Sequence, residues 1–139
     1  VISIGPQNQQ LNFQKNWGTS IVEPIIKGQL IPLETGQNWT GETFVAFAGI
    51  GHPEKFFSSL KSLGAKCVHC EALSDHQKYS RSIIRRLERF AAIKNAHLVT
   101  TEKDAVRLPK YFRDKIITLP VRLRFDCYNF VKQLLESIV

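Results

Sequence analysis

The sequence predicts an α/β fold in which a mostly parallel, Rossmann-like sheet is flanked by helices and preceded by a two-stranded β-ribbon. Short buried-strand runs alternate with helical patterns from residue 44 onward. Residues 1–43 have a different sequence pattern, since Gly, Pro, Asn and Gln separate their short apolar segments. Of the 139 residues, 43% are apolar and 22% are charged, which is typical of a globular chain rather than a disordered one.

The ribbon is predicted from residues 21–33, as two strands on either side of a Lys27-Gly28 turn. Pro24 and Pro32 each remove an N–H group from the ladder, which favours an edge or a free-standing arm. A two-stranded ribbon alone is marginal in water, so we expect it to lean on structure outside this chain. The chain starts without a Met in the apolar run Val1–Ile4, and we therefore expect a piece of a longer protein.

The elements after residue 43 follow in order. Strand patterns cover Phe44–Ala48, Ala65–Glu71, His97–Thr100 and Lys115–Leu119. Helical patterns cover Pro53–Leu63, Arg81–Lys94, Glu102–Leu108 and a last helix capped by Asp126, whose apolar positions reach Ile138. Pro53 suits a first helical position, Gly64 a helix end and Ser80 an N-cap. No stretch approaches the ~20 apolar residues of a membrane helix, and we expect the chain itself to be soluble.

The charge is strongly positive, because nineteen Lys and Arg against twelve Asp and Glu give +7. A field of this sign favours nucleic acid, an anionic membrane surface or phosphorylated substrates. Arg81, Arg85 and Arg89 recur on one face of a predicted helix and are candidate contacts to an anionic surface. A solvated helix face explains the same spacing, and both interpretations stay open.

The three cysteines do not suggest a disulfide scaffold, since their number is odd. Cys67 and Cys70 form a C-x-x-C motif, which invites a zinc or redox interpretation. Residues three apart on a strand point to opposite faces, however, and no second Cys or His pair has zinc-site spacing. We therefore expect a structural role and no metal site.

Two glycine motifs resemble phosphate-binding loops. Residues 36–43 fit the phosphate-loop pattern except that Glu42 replaces the lysine, and a strand instead of a helix follows, so we expect no phosphate there. Gly49-Ile50-Gly51 does lie between a strand and a helix, but Glu54 stands where a dinucleotide fingerprint has its third glycine. A tight strand-to-helix turn also explains these glycines and is the favoured interpretation.

Three loops are expected to converge on one rim, because the carboxyl ends of parallel strands meet at one edge. One loop carries Asp75 and His76, where a histidine beside an aspartate can act as a base or orient a charge, or can simply be solvated. In another, Thr101 is expected to cap a helix with Asp104 three residues on. The candidate rim residues are Gly49, Ile50, Gly51, Thr100, Thr101, Glu102, Lys103 and Asp104.

Three segments together resemble one known family. They are Ala46–Phe57 with the sequence AFAGIGHPEKFF, Ser74–Tyr79 with SDHQKY, and Leu98–Leu108 with LVTTEKDAVRL. Their order and spacing are similar to the C-terminal half of tetraacyldisaccharide 4′-kinase, the lipid A 4′-kinase of Gram-negative bacteria. The match covers roughly residues 44 to 119.

The resemblance implies two α/β domains joined by a two-stranded ribbon, with catalysis in the cleft between them. Residues 1–43 would then be the tail of a missing N-terminal P-loop domain plus the linking ribbon, and residues 44–139 the C-terminal α/β domain. It further implies transfer of the γ-phosphate of ATP, with Mg²⁺, to the 4′-hydroxyl of tetraacyldisaccharide 1-phosphate at the cytosolic face of the inner membrane. The phosphate loop and the Mg²⁺-binding acids would lie in the missing domain, so we expect this chain alone to be inactive.

The resemblance assigns a catalytic role to His76. In the family, a catalytic Asp–His dyad takes its aspartate from the N-terminal domain and its histidine from the Asp-His loop, with Asp75 as a neighbour. This chain departs from the family pattern, because Leu73-Ser74 replaces a common Phe-Pro and Gln77 replaces a second histidine. The alternative is a basic α/β binding module for nucleic acid or anionic surfaces without catalysis. No nucleic-acid motif supports it, and we expect no nucleic-acid partner.

Overall fold

A computed structural model describes residues 1–137. It confirms the α/β class, with a four-stranded parallel sheet flanked by helices and a separate three-stranded mixed sheet. Ile138, in the predicted last helix, and Val139, the end of the predicted C-terminal domain, lie outside the described residues. The chain forms two compact units, residues 33–120 and residues 1–32 with 121–137. The sequence predicted one boundary at residue 43, and the assignment of residues 1–43 to a P-loop domain stays a prediction.

The strands are β1 (Ile2–Ile4), β2 (Ile26–Pro32), β3 (Thr43–Ala48), β4 (Lys66–Ala72), β5 (His97–Thr101), β6 (Ile117–Leu119) and β7 (Val121–Phe125). The helices are α1 (Gln7–Trp17), α2 (Pro53–Ser62), α3 (Arg81–Lys94), α4 (Glu102–Ala105), α5 (Lys110–Arg113) and α6 (Tyr128–Glu136). The bounds of α3 agree with the prediction, and Ser80 caps it. The sequence missed α1, α5 and β7, and α6 starts after Cys127 rather than at Asp126.

The larger unit is built on the sheet β4-β3-β5-β6, in which all three strand pairs are parallel. The run Phe44–Ala48 is fully buried, because the central strand β3 is covered on both faces. The face of α3 that carries Ile84 and Leu87 packs with Val45 and Phe47 in the main core cluster. Along the chain, β4 is added on one side of β3, and β5 and β6 are added on the other side. The position between β3 and β5 is therefore the topological switch point, where open α/β sheets bind ligands.

The smaller unit contains the mixed sheet, in which β2 pairs parallel with β1 and antiparallel with β7. The predicted Lys27-Gly28 turn is therefore wrong, because both residues lie inside the continuous strand β2. A Cβ atom at Gly28 would come within 3.1 Å of Leu123 Cδ1 and 3.2 Å of Phe125 Cδ1. This glycine therefore admits a close approach between strands, which a sequence pattern does not distinguish from a turn.

Few side chains of the smaller unit are buried. Among the described residues of this unit, Val131 has the one buried apolar side chain. Gln10 of α1 is the buried polar one, and its Nε2 donates to the carbonyls of Gly5 and Gly28, each at 2.8 Å. These hydrogen bonds hold α1 to β2 where apolar packing is sparse.

Candidate functional site

The loops after β3 and β5 meet at the switch point of the larger sheet. The backbone N–H of Gly49, directly after β3, donates to Asp104 Oδ2 at 3.1 Å. Asp104 lies in α4, which follows β5, and is fully buried. A side chain at Gly49 would press against its neighbours, since an added Cβ would lie 3.2 Å from the Ser74 carbonyl oxygen and 3.3 Å from Arg107 Nη2. Two of the predicted rim segments are thus in direct contact.

Thr101 caps α4 as the sequence predicts, because its Oγ1 accepts the backbone N–H of Asp104 at 3.1 Å. The same hydroxyl donates to Asp104 Oδ2 at 2.8 Å. Asp104 therefore does not reach back to the Thr101 amide, as a capping-box acid does, but turns toward Gly49. α4 ends at Ala105, three residues before the predicted end at Leu108.

Arg107 is the residue at this site to which the sequence assigned no role. Its Nη2 forms an ion pair with Asp104 Oδ1 and donates to the carbonyl of Gly49 at 2.8 Å. Its guanidinium lies 5.6 Å from the ring centre of Tyr79, whose ring packs edge-on against Phe47. Burial, with the Asp104 carboxylate acting in the same direction, raises the pKa of Tyr79. The i, i+3 spacing of Asp104 and Arg107 is the signal that could have revealed this ion pair.

The loop after β4 joins the same site through its backbone. The amide of His76 donates to the carbonyl of Gly49 at 3.3 Å. His76 has a φ of 57°, in the left-handed region that non-glycine residues seldom adopt. Its side chain is 66% exposed, and Nε2 lies 3.8 Å from Asp75 Oδ1. The imidazole is therefore held on a fixed backbone but is free to meet a group outside this loop.

The remaining rim candidates have separate positions. Thr100 is fully buried, and its hydroxyl donates to the carbonyl of Phe47 at 2.8 Å, which ties β5 to β3. Gly51 is exposed and lies next to Asp75, since a Cβ atom added to Gly51 would be 3.8 Å from Asp75 Oδ2. Ile50 and Glu102 are half-buried and Lys103 is exposed. Thr100 thus has a structural contact, while Gly51 lies beside the Asp-His loop.

The candidate anionic-surface residues lie along α3, which begins directly after the histidine loop. Arg81, Arg85 and Arg89 are all exposed. Arg81 and Arg85 line a groove of about 270 Å³ together with Ile84, Glu88 and Tyr111. Glu88 is 3.6 Å from Lys115, so part of its charge is already balanced by a cation other than the arginines. The groove is therefore net positive.

The C-x-x-C motif lies in β4, where the pairing with β3 is irregular. Phe44 pairs with Cys67 and Val45 with His69, so Val68 is an extra residue in the strand. The prediction that Cys67 and Cys70 face apart is wrong, because Cys67 pairs with Phe44 and Cys70 with Ala46, two residues further along β3, so the extra residue brings both side chains to the same face. Burial, together with Cys70, raises the pKa of Cys67 to about 11, which leaves almost no thiolate at neutral pH. Among residues 1–137, no group of three or more His, Cys, Asp or Glu side chains is arranged to hold a metal ion.

The described helices are all too short or too polar to cross a bilayer. The longest, α3, has 14 residues and carries four arginines on its surface.

Comparison with known proteins identifies one family. A family model described as tetraacyldisaccharide-1-P 4′-kinase, LpxK, matches residues 1–139. The tetraacyldisaccharide 4′-kinase of Jannaschia sp. (strain CCS1) is 45% identical over 100% of this chain and 42% of its own length. That of Dinoroseobacter shibae is 47% identical over 88% of this chain and 37% of its own length. The chain thus spans about two fifths of the length of these curated relatives.

Among solved structures, LpxK from Aquifex aeolicus, crystallised in complex with ATP, has a TM-score of 0.57 to this chain. The two are 21% identical, and the match covers 85% of this chain and 37% of the other. At that identity the likeness supports the fold alone. The match of the family model over the whole sequence supports more, and the chain belongs to the tetraacyldisaccharide-1-P 4′-kinase family.

Proposed function

We propose that this chain is the C-terminal part of an ATP-dependent lipid kinase of lipid A biosynthesis. The reaction is transfer of the γ-phosphate to the 4′-hydroxyl of tetraacyldisaccharide 1-phosphate. The family match over residues 1–139, at about two fifths of the length of the relatives, carries this proposal. Exposure of His76 at the switch point of the larger sheet supports it, because this histidine is the one that the resemblance assigns to catalysis.

The described residues do not fit a phosphate cradle of their own. The Gly49 amide is taken by Asp104. Glu54 lies at the start of α2, and a hydrogen bond to its own backbone N–H is the main cause that lowers its pKa. A carboxylate therefore already lies where a phosphate would bind. In the other glycine motif, Glu42 lies 3.3 Å from Gln37 and 3.8 Å from His97. ATP and Mg²⁺ are therefore proposed to bind mainly to a P-loop domain outside this chain.

The smaller unit supports a partner of that kind. Its exposed large apolar side chains include Ile2, Leu11, Trp17, Val22, Leu123 and Tyr128. An apolar groove on β7 and α6, lined by Phe125, Tyr128, Val131 and Leu135, is also open. A unit with so few buried apolar residues gains stability by covering these surfaces with further structure. We propose that the N-terminal domain of the same protein covers them.

The role of this chain in the reaction is then to supply His76. A histidine beside an aspartate of the N-terminal domain orients that carboxylate and stabilises its charge while the carboxylate accepts the proton of the attacking hydroxyl. Asp75 Oδ1 lies 3.8 Å from the His76 Nε2 atom, as a carboxylate of the same loop.

A kinase assay with the full-length protein tests this function. We expect ATP-dependent phosphorylation of tetraacyldisaccharide 1-phosphate by the full-length protein and none by residues 1–139 alone. In the part of the chain that the structure describes, no cluster is arranged to hold a metal ion and the Gly49 amide is occupied, whereas phosphoryl transfer needs positioned metal and phosphate-binding groups. Activity of residues 1–139 alone would show that the division of labour is wrong, and absence of activity from both would remove the function.

The arginine face of α3 is proposed to contact the anionic inner-membrane surface at its cytoplasmic side. Each Lys or Arg near such a surface contributes about 1 kcal/mol. Reversing Arg81, Arg85 and Arg89 to Glu in the full-length protein is therefore expected to lower binding to phosphatidylglycerol vesicles by roughly 100-fold or more. Salt should weaken the wild-type binding in the same assay.

The matched control reverses Lys55, Lys61 and Lys66, which are exposed on α2 and β4 and change the net charge equally. Equal loss in both triple variants would mean that only net charge matters. A salt-dependent shift with oligonucleotides but not with vesicles would instead favour the basic binding module without catalysis.

A further inference from the structure

The Gly49 peptide is held from both sides by residues more than fifty positions away in the chain. Its N–H donates to Asp104 Oδ2 at 3.1 Å, and its carbonyl accepts from Arg107 Nη2 at 2.8 Å. The same carbonyl accepts the backbone N–H of His76 at 3.3 Å. The Gly49 carbonyl is therefore shared by Arg107 and the histidine loop, while Asp104 holds the preceding peptide group through the Gly49 N–H.

We propose that Asp104 and Arg107 are positioning residues for His76, which they hold in place through the Gly49 peptide. The inference rests on the proposed catalytic role of His76. A φ of 57° is unfavourable for a histidine, and such a conformation persists only where its surroundings enforce it. The hydrogen bond from the His76 backbone N–H to the Gly49 carbonyl is one such restraint. This restraint is only as rigid as the Gly49 backbone itself.

Packing around Gly49 leaves little room for the loop to move. The hypothetical Cβ contacts of 3.2 Å to the Ser74 carbonyl and 3.4 Å to Asp104 Oδ1 show how closely the loops after β4 and β5 approach this residue. The histidine loop is also braced internally, because the Gln77 amide donates to the Ser74 carbonyl and the Ser74 amide donates to Gln77 Oε1, both at 3.0 Å. The histidine loop is therefore held both by its own hydrogen bonds and by its contact with Gly49.

The contacts of Arg107 with Asp104 and Gly49 are both made by one atom, Nη2. Its Nε and Nη1 atoms are buried without a hydrogen-bond partner among the described residues, while Nη2 contacts both Asp104 and Gly49. A buried donor without a partner lowers stability. Arg107 therefore acts at this site through Nη2, and its guanidinium lies over the Tyr79 ring, 5.6 Å from the ring centre.

Two conservative variants of the full-length protein test the inference. Arg107→Lys keeps the charge next to Asp104 but lacks the planar guanidinium. Asp104→Asn keeps one oxygen, so it loses either the contact with Arg107 or the bonds from Gly49 and Thr101. We expect kcat to fall by about 10–100-fold, because small misplacement of a catalytic group has that effect, with KM values close to wild type. Hydrogen–deuterium exchange in residues 73–79 should become faster in both variants.

Leu60→Met is the control, since Leu60 is fully buried near the C-terminal end of α2 and is not part of the core cluster against which Leu73 and Tyr79 pack. It should leave kcat and the exchange of residues 73–79 unchanged. The inference is overturned if either conservative variant that retains the wild-type melting temperature also retains wild-type kcat or exchange, while His76→Asn has lost turnover. If His76→Asn turns over normally, the proposed function of His76 fails, and the exchange data alone decide whether Asp104 and Arg107 hold the loop.

Discussion

Replacing His76 by asparagine in the full-length protein is expected to lower kcat by about 10²–10⁴-fold and to leave KM for ATP and for the lipid close to wild type. The range is that of a positioned group acting in general acid–base catalysis. A loss confined to kcat indicates an interaction made in the transition state rather than in substrate binding. Steady-state kinetics with each substrate varied in turn measures both constants.

Asparagine is the informative replacement because of the backbone. His76 has a φ of 57°, and asparagine tolerates the left-handed region better than alanine does. His76→Asn therefore removes the imidazole while it leaves the loop conformation accessible, whereas a loss seen only in His76→Ala would indicate strain. The comparison of these two variants separates chemistry from backbone geometry.

His97 offers a matched control for the same substitution. Its side chain is 61% exposed, close to the 66% of His76, and it also lies 3.8 Å from a carboxylate. It begins β5, at the opposite end of the strand from Thr101 and α4. His97→Asn is expected to retain wild-type turnover. Wild-type turnover in His76→Asn would instead contradict the assignment of His76 to catalysis.

The sequence predicted the larger unit well because local signals there agree with the tertiary structure. Pro53 opens α2, Ser80 caps α3 and Thr101 caps α4, and each lies next to an apolar run with the right period. Because alternating strands and helices leave few ways to build a parallel sheet, the convergence of the loops after three strands followed from the pattern.

The smaller unit was harder to predict because its contacts are long-range and its apolar signal is weak. α1 contains mostly Gln and Asn, and a buried Gln10 holds it to β2. β7 carries Arg122 and Arg124, and its partner strand β2 lies about ninety residues earlier in the sequence. No local turn between the two strands therefore indicates that they pair. A single glycine such as Gly28 is equally typical of a turn and of a strand position where a neighbouring strand packs closely. Only the contacts with Leu123 and Phe125 show that the second case applies.

The candidate site was predicted residue by residue, but its connections were not. The sequence named Gly49, His76 and Asp104 separately, on three different loops. The Gly49 peptide that joins them, and Arg107 as the fourth member, depend on hydrogen bonds between residues 55 and 58 positions apart. Such bonds are a property of the packed sheet, and no local sequence pattern encodes them.

The second large effect concerns stability, and it arises because Asp104 and Arg107 are an ion pair with one fully buried partner. Asp104→Ala leaves the Arg107 guanidinium, whose side chain is 24% exposed, without its counter-charge. Removing one partner of a buried pair costs about 3–5 kcal/mol, and the partial exposure of Arg107 places the expected loss near the lower end. Urea denaturation of this chain in a Trp17→Phe background, which leaves buried Trp39 of the larger unit as the one tryptophan, measures it by fluorescence.

Two further variants show whether the loss comes from the unpaired charge. Thr100→Val removes a buried hydroxyl bonded to Phe47 and should cost only about 1 kcal/mol, as expected for a neutral hydrogen bond. The double variant Asp104→Ala/Arg107→Met removes both charges and should be more stable than the sum of the single losses by about 0.5–3 kcal/mol. Strictly additive losses would mean that the two residues stabilise the larger unit independently. In that case their shared hold on Gly49 would have no energetic basis.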